Sequence, residues 1–144
     1  MYDISQVQSE YKTKLIDADF AASLVKSNYR LHFGVGTGSS IYMDRALGKR
    51  LKTDTLLRGL EIQTEVAVRN DLLETFKATR DVNTVRFYSS HYTAMDRMMA
   101  DAGNCWYVPI LFNEEPLYWG QEGNGFDICC IQVAPMDRYG NFNF

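Results

Sequence analysis

Apolar positions along this chain recur with two spacings, and the alternation between them predicts its layout. After Asp17, apolar side chains at 20, 21, 24 and 25 keep to one helical face. With Asp17 as N-cap, Ile16 just outside it and a closing Lys26-Ser27-Asn28, this predicts a short amphipathic helix over 18–26. Arg30-Leu31-His32-Phe33 reads as a strand, stopped by Gly34-Val35-Gly36-Thr37-Gly38-Ser39-Ser40. Residues 41–51 return to helical spacing, with apolar positions 41, 43, 46, 47 and 51. A second strand is expected over 56–62, weakened by Gly59. Residues 66–76 fit a helix or an irregular cover equally well.

Further along, 84–88 reads as a third strand and 94–102 as a helix. That helix carries Met95, Met98, Met99 and Ala102 on one face, and Gly103 stops it. A fourth strand is expected over 105–112, with Pro109 near its end or at a bulge, then a helical turn over 114–119. Residues 126–133 are apolar at nearly every position, the pattern of a strand buried on both faces in the middle of a parallel sheet. Strands alternating with helices predict an α/β fold, a mostly parallel sheet with flanking helices. Ligands of such sheets gather beyond the carboxyl ends of the strands, so the turns 34–40, 89–93 and 134–140 are expected on one rim.

Composition narrows the classes. The 144 residues carry 15 Lys and Arg against 18 Asp and Glu, a net charge of −3, with no basic cluster, so a nucleic-acid partner is not expected. No apolar run is long enough for a membrane span, and the first 14 residues lack the apolar core of a secretion signal, so a cytoplasmic location is expected. Three cysteines (Cys105 and the adjacent Cys129 and Cys130) suit neither a disulfide framework nor a zinc site. No Pro/Gly/Ser linker splits the chain, which reads as one domain over 1–144.

Three segments could carry chemistry. In 34–40, alternating glycines (Gly34, Gly36, Gly38) with Thr37 and Ser39 would let backbone approach a ligand, ahead of a helix N-terminus that suits an anion. The spacing matches neither a dinucleotide fingerprint nor a P-loop, and on motif alone an ordinary strand-to-helix turn capped by Ser39 or Ser40 explains it better. His91, within Ser89-Ser90-His91-Tyr92-Thr93, could hydrogen-bond a carboxylate or thioester oxygen; as a histidine without a partner it is better explained by a backbone bond in a turn. His32, inside a strand pattern, reads as structural, and the two histidines make no metal site. In the third segment Gln132 interrupts an apolar run and must find partners, while Pro135, Asp137 and Gly140 form a corner. The glutamates, scattered at 10, 61, 65, 74, 114, 115 and 122, adjoin no candidate base and read as mostly solvated.

The run Ile131-Gln132-Val133-Ala134-Pro135-Met136-Asp137-Arg138-Tyr139-Gly140-Asn141-Phe142-Asn143-Phe144 resembles a motif of the acetyl-CoA hydrolase/transferase family, and most of all its butyryl-CoA:acetate and 4-hydroxybutyrate CoA-transferases. Glu10-Tyr11-Lys12-Thr13-Lys14-Leu15-Ile16 is similar to their opening helices, Ala46-Leu47-Gly48-Lys49-Arg50 to the helix after their first loop, and Ser89, His91 and Val108-Pro109-Ile110 fall into register. Three positions depart from the pattern: Val35 stands near a histidine of the 4-hydroxybutyrate branch, Tyr139 replaces the histidine of Asp-x-His-Gly, and Asn141 replaces an aromatic.

The resemblance implies the N-terminal domain of a two-domain CoA-transferase of the NagB-like fold class, with the catalytic C-terminal domain absent from this chain. The family's nucleophile is a glutamate of that second domain, so no catalytic residue is expected here and the chain alone is expected to be inactive. CoA serves as substrate, no permanent cofactor is implied, and the partners are an acyl-CoA, a short-chain carboxylate such as acetate, the second domain and a further copy in a homo-oligomer. Substrate contacts would come from Gly34, Gly36, Thr37, Gly38, Ser39, His91, Gln132, Pro135 and Asp137, with an apolar patch near 135–144. A non-catalytic CoA or small-anion binding module, and a sugar-phosphate isomerase-like enzyme, are the competing readings; the second needs an in-chain acid–base pair near 34–40.

Overall fold

A computed structural model describes residues 3–68 and 73–144. Its centre is a five-stranded, wholly parallel sheet in the order β4-β3-β2-β1-β5. Two helices precede it, α1 (Ile4–Lys14) and α2 (Ala18–Ser23), the latter capped as its sequence requires, with the Asp17 carboxylate accepting from Phe20 N. The strands are β1 (Arg30–Val35), β2 (Leu60–Glu65), β3 (Val85–Ser89), β4 (Cys105–Tyr107) and β5 (Ile128–Cys129), with α3 (Ile41–Thr53), α4 (Glu74–Ala78), α5 (Ala94–Asp101) and α6 (Glu115–Trp119) between them. Of the segment 66–76, residues 69–72 lie outside the described residues, and its last three, 74–76, belong to α4.

Alternation along β1 and β2 divides the sheet into unlike faces. Leu31, Phe33, Leu60 and Ile62 turn into an apolar core shared with Leu47 and Leu51 of α3. Arg30, His32, Glu61, Gln63 and Glu65 turn to the other side, where Arg30 pairs with Glu61 at 2.9 Å and Trp119 and Phe126 form part of the cover. On the core side α3 and α4 pack at close range. Asp44 of α3, buried, accepts from Glu74 N (2.9 Å) and Thr75 N (3.0 Å), capping α4 from a neighbouring helix. A Cβ on Gly48 would stand 2.5 Å from the Glu74 carbonyl carbon, so glycine alone allows this approach.

Five pattern readings change. The helix after Asp17 ends at Ser23 rather than 26, and Phe20 and Leu24 of its expected apolar face are exposed while Ala22 is buried. β2 starts at Leu60: Gly59 has φ +72° and donates to Asn83 O, so the chain turns before the strand, which then runs on through Gln63, Thr64 and Glu65. On α5 only Met95 and Met99 of the apolar set are buried, together with Asp96, whereas Met98 and Ala102 face out. β4 ends at Tyr107, before Pro109. The apolar run at 126–133 does not sit in the middle of the sheet: it contributes a two-residue edge strand paired to β1 alone, and Cys129, Ile131 and Val133 are exposed. Apolar pattern reports that a strand could be covered on both sides, not which element covers it.

The closing residues leave the sheet and pack on α1. Tyr11 and Phe142 meet edge to face at 5.6 Å, and Gln8 donates to Arg138 O. Several large apolar side chains stay exposed there, among them Tyr139, Phe142 and Phe144.

Candidate functional site

At the carboxyl end of β1 the pairing with β2 slips between His32 and Val35. The slip is Gly34, at φ +85°, where a Cβ would lie 2.6 Å from Gly38 O and 3.1 Å from Cys130 O. Only glycine fits, both for its backbone angle and for the space. The next residues make a 3-10 turn (Gly36–Gly38), and the Ser39 hydroxyl folds back onto Gly36 O at 2.8 Å. Ser39 is thereby buried and spent on the turn, while Ser40 occupies the N-cap position of α3 without a side-chain bond to the helix. Neither serine caps α3 with its hydroxyl. Gly36, in contrast, has open space where its Cβ would be.

The segment leaving β5 lies against this turn. Gln132 N donates to Gly38 O at 2.8 Å, and Ser39 and Ile131 form an antiparallel bridge. Together they wall a cleft of about 750 Å³ lined by His32, Gly34, Val35, Thr37, Gly38 and residues 131–134, with Phe144 at its edge. The Gln132 Oε1 atom is buried without a partner among the described residues. Pro135 and Asp137 are not in that lining. Asp137 instead accepts from Tyr139 N (2.8 Å) and Asn141 N (2.9 Å), and these backbone bonds, Asn141 first, hold its carboxyl below the usual carboxylate range. It closes the corner rather than facing the cleft.

Two shallower hollows continue along the same rim. One is lined by His32, Glu65, Phe112, Glu115, Trp119 and Cys129, the other by Ser90, His91, Tyr92 and Tyr107. His91 is exposed, 6.5 Å from the Phe112 ring, with Nδ1 3.5 Å from Ser90 Oγ. Ser90 Oγ donates to Glu115 Oε1 at 3.0 Å, which links the two hollows.

Glu65 and Glu115, read from sequence as part of a scattered and mostly solvated set, are 1% and 8% exposed and line one hollow together. His32, set aside as structural, lines the glycine cleft and faces Glu65. The missed signal was the extent of β2: a strand ending at 65 rather than 62 puts a glutamate on the functional rim. Nothing local announced Glu115, which reaches the site only because residues 108–119 fold back over the sheet. Among the described residues, no three His, Cys, Asp or Glu side chains gather as a metal site would need, and no helix is long and apolar enough to cross a membrane.

Comparison with known proteins adds ancestry to this geometry. The acetyl-CoA hydrolase/transferase N-terminal domain matches residues 1–144. A butyryl-CoA:acetate CoA-transferase of Anaerostipes caccae is 31% identical over 137 residues, 95% of this chain and 30% of that protein. A 4-hydroxybutyrate coenzyme A transferase of Clostridium kluyveri is 28% identical over 134 residues, again 30% of its length. The chain thus spans about a third of the curated relatives it matches. The crystal structure of RipA from Yersinia pestis superposes with a TM-score of 0.78 over 98% of this chain and 33% of that one, at 24% identity, which establishes the shared fold.

Proposed function

Because this chain belongs to the acetyl-CoA hydrolase/transferase family through its N-terminal domain, we propose that it forms one wall of the reaction cleft in an enzyme that moves CoA from a short-chain acyl-CoA to a carboxylate such as acetate. The relatives with 31% and 28% identity carry such activities in their names. The attacking glutamate belongs to a second domain beyond these 144 residues. Its carboxylate attacks the thioester carbonyl, the C–S bond breaks and CoA leaves as thiolate, giving an acyl-glutamyl anhydride. The thiolate then attacks the glutamyl carbonyl and expels the first carboxylate, leaving a glutamyl-CoA thioester for the acceptor acid. Water must be kept out and the developing oxyanions need fixed N–H donors.

The observation that carries this reading is the bond from Gln132 N to Gly38 O, which brings the glycine turn and the family-like segment 131–144 into one cleft. In it Gly34, Thr37 and Gly38 offer close backbone approach to the acyl and glutamyl groups, and Gly36, on the same turn just outside the lining, leaves the approach open. Ser39 keeps the turn closed, and Gln132 stands in the wall of the cleft with its amide oxygen buried and unpartnered among the described residues. His91 supplies an exposed imidazole farther along the rim, while Pro135 and Asp137 set the corner behind Gln132. CoA itself is held mainly by the second domain, whose docking covers the apolar residues 131–144, and the assembled enzyme is a cytoplasmic homo-oligomer.

The test is CoA exchange between butyryl-CoA and acetate by the polypeptide that joins this domain to a second one. A borohydride- or hydroxylamine-sensitive enzyme–CoA thioester is expected during turnover. Binding of CoA without exchange, and no trapped thioester, would favour a non-catalytic binding module instead.

A further inference from the structure

The proposed reaction makes no use of the buried pair Glu65 and Glu115, yet the hydrogen bonds around them leave one consistent placement of protons. Gly34 N donates to His32 Nδ1 at 3.2 Å. A nitrogen that accepts carries no proton, so the neutral ring bears its proton on Nε2, which faces Glu65 Oε1 at 3.6 Å. Gln63 Nε2 donates to the same oxygen at 3.3 Å. Glu115 lines the same hollow as Glu65 and both are buried, and two buried carboxyl groups side by side do not both ionise, so one keeps its proton. Every neighbour of Glu65 therefore points a donor at it: Glu65 is the anion and Glu115 the acid. Glu115 in turn accepts from Ser90 Oγ at 3.0 Å.

We propose that Glu65 and Glu115 share one proton, carried by Glu115, and act as positioning residues that hold His32 with its proton on Nε2 and, through that ring, the Gly34 amide at the start of the glycine turn. Electrostatics runs the same way. Burial opposes ionisation of Glu65, but the adjacent His32, Glu115 and Gln63 side chains together outweigh it and keep its carboxyl below the usual range. Burial first, then the adjacent Glu65, push Glu115 up against the opposing Ser90 bond. The other titratable groups facing the pair, among the described residues, are His32 from β1, His91 after β3 and the Cys129 thiol of β5. The series Gly34–His32–Glu65–Glu115–Ser90 thus crosses from the glycine cleft to the His91 hollow through three strand ends and α6. A second proton on His32 would set Nδ1–H against Gly34 N–H and release the turn.

The kinetic consequence rests on the proposed transferase role; the shared proton does not. The test is carboxyl and imidazole NMR on protein labelled with ¹³C-glutamate and ¹⁵N-histidine. One glutamate carboxyl is expected to stay protonated after the surface glutamates have ionised, and His32 to carry its proton on Nε2. Glu65→Gln should lower the Glu115 carboxyl part of the way toward the ordinary carboxylate range, since its burial remains, and Glu115→Gln should leave the His32 tautomer unchanged because its amide donates as the acid did. Both carboxyls titrating in the ordinary range, or a His32 proton on Nδ1, would overturn the proposal; should Glu65→Gln fail to fold, the wild-type and Glu115→Gln spectra decide it. In the CoA-exchanging polypeptide, Glu115→Ala should lower kcat/KM on the order of 10-fold and Glu115→Gln should recover most of it. An unchanged Ala variant would remove the positioning role. If the wild type exchanges no CoA, the transferase reading fails, and the His32 tautomer alone decides the inference.

Discussion

Gln132 gives its backbone N–H to Gly38 O across 2.8 Å, joining the chain that leaves β5 to the turn that leaves β1, a separation of 94 residues in sequence (132 − 38). The bond spans no regular strand pair. It makes one cleft from two loops, and the turn on one side of it depends on two glycines for different reasons.

Gly34 is fixed by packing and Gly36 by backbone angle alone. Gly34→Ala should cost about 2–4 kcal/mol, since its Cβ meets two carbonyl oxygens as well as an unfavourable φ. Gly36→Ala should cost about 1 kcal/mol while narrowing the mouth of the cleft. Denaturant unfolding of the two variants beside CoA-exchange rates checks this: Gly34→Ala should lose stability first, and Gly36→Ala should lose rate out of proportion to stability.

The junction of α3 and α4 predicts an effect with no bearing on the site. Asp44→Ala removes a carboxylate that satisfies two first-turn N–H groups of α4, and should lower stability by about 1–2 kcal/mol. Gly48→Ala should be destabilising although alanine is the better helix former, because the added methyl meets the Glu74 backbone. A stabilised Gly48→Ala variant would mean that the two helices can separate at little cost.

His91 is exposed, beside Ser90 and the Phe112 edge, so His91→Ala should change stability by less than about 0.5 kcal/mol. In the full transferase it should slow exchange or alter the preference among acceptor acids. Unchanged kinetics across acetate, propionate and butyrate would return it to the status of an ordinary turn residue.

The raised Glu115 carboxyl has a definite sign in stability. With a folded value above the unfolded one near 4.5, its contribution is complete below that value and is lost as pH rises through the folded value. Glu115→Gln, which never ionises, should therefore match the wild type at acid pH and gain on it as pH rises toward neutrality. Thermal melts of both proteins from pH 4 to 8 give the comparison; a difference that shrinks with rising pH would contradict the assignment of the proton.

By itself the sequence determined the α/β class, the Asp17-capped helix, the cores of β1 and β3, and the place of the glycine turn. Each is written in local spacing: a capping carboxylate at a helix start, a short apolar strand, glycines where the backbone must bend. It also carried the family likeness in 131–144, because a corner of Pro135, Asp137 and Gly140 has a local chemistry of its own. Tertiary structure decided the rest. That residues 126–133 form an edge, that Asp137 is turned into its corner, and that Glu65, Glu115 and His32 line one hollow are facts about neighbours far apart in the chain. A carboxylate looks the same in sequence whether water or another carboxylate stands beside it, and only the folded backbone fixes which.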